Sequence, residues 1–130
     1  MHMPQISLDE ARAYLLRLDL SYIVDAMCAP SYALPRWHRD EALHCLKLYK
    51  NFILLQKKHL PECLVPTREI DEFWHNHILY TKQYHADCAA IFGHYLHHVP
   101  ANPNEDAEQL VEDYQKTKRY YFAEFGEDMI

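Results

Sequence analysis

The sequence predicts an all-α fold: a compact single-domain helical bundle of about five to six helices with a central helical hairpin bearing histidine and cysteine. Three observations predict it. Only two glycines, Gly93 and Gly126, occur in 130 residues, and strand-rich folds with many tight turns need more. Apolar residues recur at helical rather than alternating spacing in segment after segment. The prolines fall between these segments, where they do not break a helix. A chain of 130 residues also fits one domain, taken as residues 1–130.

Each element can be justified in order. Ser7 with Glu10 forms a capping-box pattern, and Leu8, Ala11, Leu15 and Leu18 follow at helical spacing, which predicts a helix over residues 8–20. Tyr22, Ile23, Ala26 and Met27 predict a short second helix, ended by Ala29-Pro30 and Leu34-Pro35 because the residue before a proline avoids the helical region. Residues 36–59 contain neither proline nor glycine, and Trp37, Ala42, Leu43, Leu46, Tyr49, Phe52, Ile53 and Gln56 trace a stripe that marks the long core helix. Pro61 and Pro66 bracket a connector.

Thr67 then caps a helix with Ile70, Phe73, Trp74 and His77 on one side and Asp71, His75 and Ile78 on the next. Thr81 is read as a second cap, starting a helix over residues 82–92 that Gly93 closes in a left-handed conformation. These two helices make the hairpin. After a polar turn at Ala101-Asn102-Pro103-Asn104, a last helix carries Leu110, Val111, Tyr114, Thr117 and Tyr121 to about Phe125.

Charge and composition exclude several classes. Nineteen acidic against thirteen basic residues give a formal charge of -6, which repels a phosphate backbone, so nucleic acid is not an expected partner. No stretch reaches the ~20 apolar residues of a membrane span, and no signal-peptide pattern opens the chain. Cys28, Cys45, Cys63 and Cys88 form no C-x-x-C pair and read as free thiols, which points to a cytoplasmic location. Cys28, Cys45 and Cys63 are expected to be core or inert. There is no G-x-S-x-G, glycine-rich phosphate loop or H-E-x-x-H. The Met1-His2 terminus reads as a flexible tail rather than a copper site.

The chemistry is concentrated in one stretch. His75, His77, His85, Cys88, His94, His97 and His98 are seven potential ligands within residues 75–98, with Asp71 just ahead. Imidazole and thiolate suit zinc or iron. On a helix, side chains four apart lie about 6 Å from each other on one side, and those two apart diverge by about 200°. Asp71 and His75 are therefore expected to converge, whereas using both His75 and His77 requires a distortion near Asn76. Folding the second helix back brings Cys88 opposite Asp71, and the chain after Gly93 can return His98. The expected metal ligands are Asp71, His75, His77, Cys88 and His98. Trp74, Tyr84, Asp87 and His97 are expected around them, Asp87 orienting an imidazole and Tyr84 serving as a hydrogen-bond donor or general acid.

The run Ile70-Asp71-Glu72-Phe73-Trp74-His75-Asn76-His77-Ile78-Leu79, then Tyr84, Asp87-Cys88 and Phe92-Gly93, resembles the core of the glycine-rich domain-containing protein-like family, of the form D-x-x-W-H-x-H, Y-x-x-D-C and F-G. Leu96-His97-His98-Val99-Pro100 is similar to the ending of its short bacterial members, and no glycine-rich tail is present. The resemblance implies that His75, His77, Asp87 and Cys88 matter to function. It implies no particular activity.

Three functional readings follow. The first is a metal-binding helical domain, catalytic or not, holding a transition metal. The second is a non-enzymatic module that binds a protein partner through Tyr114, Tyr120, Tyr121, Phe122 and Phe125 of the last helix, unless these pack on the long helix instead. The third keeps the histidines without the metal, with Asp71 and Asp87 accepting hydrogen bonds from His75 or His77 to lock the hairpin.

Overall fold

A computed structural model describes residues 5–99 and 107–130. The Met1-His2 terminus, Pro100 and the 101–104 turn lie outside the described residues. Six helices and no strand are found among the rest: α1 (Leu8–Arg17), α2 (Ser21–Cys28), α3 (Arg39–His59), α4 (Arg68–Leu79), α5 (Thr81–Phe92) and α6 (Ala107–Phe125). The chain is the all-helical bundle that the spacing of its apolar residues predicts.

Local chemistry sets the element ends. The Ser7 hydroxyl accepts from the Glu10 N–H at 3.0 Å, and that of Thr67 from the Ile70 N–H at 3.1 Å, so both predicted caps satisfy amides that have no helical partner. Gly93 ends α5 at φ 78°, where a side chain would be strained. Thr81 is not a cap but the first residue of α5, and Tyr80 alone separates α4 from α5. The long helix starts at Arg39 rather than residue 36. Trp37 is drawn out of helical conformation by two bonds of its own, N–H to the Met27 carbonyl at 3.0 Å and Nε1 to Glu72 at 2.6 Å.

α3 is the central post. It packs against α1, α2, α4 and α6, and α5 closes the bundle against α1 and α4. Its buried residues include Ala42, Cys45, Leu48, Tyr49, Phe52 and Ile53. Leu43, which the stripe placed inside, is 44% exposed. Tyr49 meets Phe73 with ring centroids 5.0 Å apart, and Phe52 meets Trp74 at 5.6 Å, so an aromatic seam joins α3 to α4. The Gln56 amide closes the proline connector, donating to the Glu62 carbonyl at 2.6 Å and accepting from the Leu64 N–H at 3.0 Å.

α6 runs antiparallel to α3 and is fastened along its C-terminal half. Asn51 donates to the Tyr121 hydroxyl at 3.0 Å, Tyr120 stacks on His59 at 3.9 Å, and the Glu124 carboxylate takes both Arg12 and Lys58. Beyond Phe125 the chain turns at Gly126 and buries Met129 completely. Met129 and Ile130 border a recess with Trp37, Cys45, Leu48 and Thr67.

Candidate functional site

The histidine segment folds as a hairpin, but its side chains do not share a pocket. α4 is unbroken from Arg68 to Leu79, so His75 and His77, two residues apart, leave the helix in different directions. His77 is 3% exposed and points into the bundle, while His75 faces solvent. Asp71 does not pair with His75. It meets His98, which the chain after Gly93 brings back to it, and the His98 ring lies 4.2 Å from that of Trp74. Cys88 is buried. His85, His94 and His97 are exposed.

Two separate histidine–carboxylate pairs result in place of one cluster. Among the described residues no three His, Cys, Asp or Glu side chains are placed to hold a metal ion. The metal-binding reading is therefore corrected: Asp71, His75, His77, Cys88 and His98 do not form a ligand set, and the expected zinc or iron has no such group to occupy. The physical reason is the unbroken helix. Asn76, where a distortion was required, is instead held in register, its side-chain amide donating to the Glu72 carbonyl and the Tyr32 hydroxyl, both at 2.9 Å.

The inner pair is the centre of a four-helix hydrogen-bond chain. His77 Nε2 lies 2.8 Å from Asp87 Oδ2 on α5, and His77 Nδ1 lies 2.7 Å from the Tyr49 hydroxyl on α3. The other carboxylate oxygen, Asp87 Oδ1, accepts from the Tyr14 hydroxyl of α1 at 2.6 Å. One assignment uses each donor and acceptor: Tyr49 O–H donates to Nδ1, Nε2–H donates to Asp87, and Tyr14 O–H donates to Asp87. Burial pushes the Tyr49 phenol well above its ordinary value. Burial and the Asp87 carboxylate together raise Tyr14 to about 12. Both hydroxyls therefore keep the protons that the carboxylate and imidazole need. The Tyr22 hydroxyl is also buried and has no hydrogen-bond partner among the described residues. Burial, reinforced by Asp87, raises it to about 12.

The outer pair fixes the chain after α5. Trp74 Nε1 donates to the Tyr84 hydroxyl at 2.9 Å, and Tyr84 donates to the Leu96 carbonyl at 2.6 Å. With the Asp71–His98 contact, this holds the 93–99 segment against the hairpin at two points. Tyr95 packs edge-on against Tyr84 at 5.3 Å and against His97 at 4.8 Å. Tyr84 is thus a structural donor beneath the segment, and burial pushes its phenol upward.

A third network was invisible in the sequence. Glu72 Oε2 accepts from the Tyr32 hydroxyl at 2.7 Å and from Trp37 Nε1 at 2.6 Å, docking the loop between α2 and α3 onto α4. Tyr14, Tyr49, Tyr32 and Glu72 were all missed as site residues. Their partners lie 28 to 73 residues away in the chain, beyond any local spacing rule.

In order, Tyr49, His77 and Asp87 reproduce a hydroxyl–imidazole–carboxylate relay. The cavity beside them, bordered by Leu15, Ile53, Cys88 and Phe92, is about 10 Å³. That is the room of a single water molecule at most, and the relay's hydrogen bonds clasp α1, α3, α4 and α5 together. Two of the thiols are similarly enclosed: burial raises Cys45 to about 12 and pushes Cys88 upward. All four cysteines are free, and Cys63, read as core or inert, is exposed.

Fold and site together define an all-α bundle locked by a buried tyrosine–histidine–aspartate chain. A family model described as UCP032817-like matches residues 23–124, which include the whole hairpin, and the chain belongs to that family. Its description names no activity or ligand and makes no link to the glycine-rich proteins that the hairpin resembles. No curated protein and no solved structure matches the chain. No described helix is long and apolar enough to cross a membrane.

Proposed function

We propose that this chain is a non-enzymatic protein-interaction module, in which the histidine–carboxylate pairs lock the bundle and α6 presents the partner-binding face. The observation that carries the reading is the split character of α6. Tyr121 is fully buried and Tyr120 stacks on His59, so these two tyrosines belong to the body of the fold. About 100° round the same helix from Tyr121, Val111 is 59% and Phe122 56% exposed. Large apolar side chains left in water on one helix face are a feature of partner surfaces. The buried polar groups of the hairpin support the reading from the other direction, because Trp74, His77, Tyr84 and Asp87 are engaged in internal hydrogen bonds. The four free thiols support a cytoplasmic setting as part of the same proposal.

The test is photocrosslinking in the native cell, with a photoreactive phenylalanine at position 122 and, as control, at exposed position 82. The expected result is a discrete protein adduct from position 122 that the Val111→Glu substitution removes, with none from position 82. Equal labelling from both positions, or none from either, overturns the reading.

A further inference from the structure

We infer that the partner meeting this face is a second copy of the chain, with α6 packed antiparallel against its counterpart across a twofold axis. The inference rests on the reading of α6 as a binding face and adds the identity of what binds there. Its basis is the order of charges beside the apolar stripe.

At 100° per residue, Val111, Gln115, the half-buried Lys118 and Phe122 share one flank of α6, and Glu112 and Arg119 run along its solvent-facing edge. The opposite edge turns toward α3, where Thr117 and Tyr121 are buried. When two identical helices pair antiparallel about a twofold axis, the same edge of each faces the other. A charged edge then pairs favourably only if its sign reverses about the midpoint. This edge does so: Glu112 precedes the middle of the exposed stripe and Arg119 follows it. Pairing about Gln115 and Lys116 sets Glu112 opposite the second copy's Arg119, twice over by symmetry. The apolar stripe has its own midpoint one residue further along, so Val111 and the second copy's Phe122 come within a turn of direct opposition, and the Lys118 ammonium lies 5.8 Å from the Tyr114 ring within one chain.

Two neighbouring charges are already engaged. Lys116 is bound to Glu62 at 2.8 Å, and Asp113 is taken by Gln109 at 3.0 Å. Glu112 and Arg119 are exposed and have no ion pair among the described residues. A parallel pair would set like charges together, Glu112 beside Glu112 and Arg119 beside Arg119. The stripe is short beside a standard protein interface, so a weak dimer is expected.

The experiment is sedimentation velocity of the purified full chain from about 1 µM to about 500 µM, a range suited to a small, weak interface. The wild type is expected to shift toward twice the 15.5 kDa chain mass. Glu112→Arg alone and Arg119→Glu alone each place like charges across the axis, and each is expected to weaken dimerisation about fivefold or more. An equimolar mixture of the two variants restores both pairs, one chain supplying two arginines and the other two glutamates, and is expected to dimerise like wild type. Unchanged circular dichroism checks that both exposed substitutions leave the fold intact. A wild type that stays monomeric throughout, or a mixture that pairs no better than its components, overturns the inference. In the first case the α6 reading stands or falls by its own crosslinking test. A dimer untouched by Val111→Glu combined with Phe122→Glu overturns both, since the contact then lies elsewhere.

Discussion

His77 and Asp87 face each other across the hairpin at 2.8 Å, almost entirely out of water, and each is held from behind by a tyrosine of another helix. The pair fixes the relative position of α4 and α5, and through Tyr49 and Tyr14 it also engages α3 and α1. A buried pair of this kind contributes little relative to apolar packing, yet removing one member strands the other.

His77→Ala is accordingly expected to cost about 3–5 kcal/mol, because it leaves the Asp87 carboxylate and the Tyr49 hydroxyl short of a partner in the interior. His75→Ala, on the same helix but in water, is expected to stay within about 0.5 kcal/mol of wild type. Urea denaturation of the two variants checks both. Equal losses would show that the network is not the clasp.

Tyr49→Phe removes only the hydroxyl that feeds His77 Nδ1 and keeps the ring that packs on Phe73. A loss of about 1–2 kcal/mol is expected, smaller than for His77→Ala, since one buried acceptor is left unsatisfied and no cavity the size of a ring forms. In a double-mutant cycle the two substitutions should be non-additive, because both act on one network.

The alkaline limb of stability follows from the phenols. Tyr14, Tyr22 and Tyr32 are each raised by burial to about 12 from an ordinary 10.0. Below pH 10 folded and unfolded chains hold these protons alike, and the stabilisation is fully present. Between pH 10 and about 12 the unfolded chain ionises first, so stability falls with rising pH. Tyrosinate absorbance is expected to appear together with loss of helical circular dichroism. A smooth titration of folded protein centred at the ordinary value would contradict the burial argument.

Asp71→Asn tests the outer pair. Half of the Asp71 side chain is exposed, so a global loss of no more than about 1 kcal/mol is expected. The effect should be local instead: faster amide hydrogen exchange and proteolysis within the 93–99 segment, with α4 and α5 unchanged. Equal protection in variant and wild type would show that Tyr84 and the burial of Leu96 hold the segment without help.

The all-helical architecture, two caps and the Gly93 stop were legible because each is written in local spacing, whereas His98 was expected back at the hairpin as a metal ligand and returns as a partner of Asp71. Helical angles also separated His75 from His77 correctly. The same rule misled at Asp71 and His75: sharing a helix side gives proximity but not a bond, and Asp71 is paired with His98. The clasp itself could not be read from sequence. Tyr49 and Tyr14 reach His77 and Asp87 only because α3 and α1 pack on the hairpin, and no local pattern records that packing. Trp37 shows the converse, a residue of helical context drawn into a loop by Glu72, 35 positions away.

The burial of Met129 carries a consequence for synthesis. Trp37, Cys45 and Leu48, which border the recess shared with Met129, are translated long before it and must wait for it to arrive. A chain emerging from the ribosome can form its helices early but exposes this side of α3 until residue 129 has left the exit tunnel. During that interval the nascent protein presents an apolar surface of the kind chaperones bind.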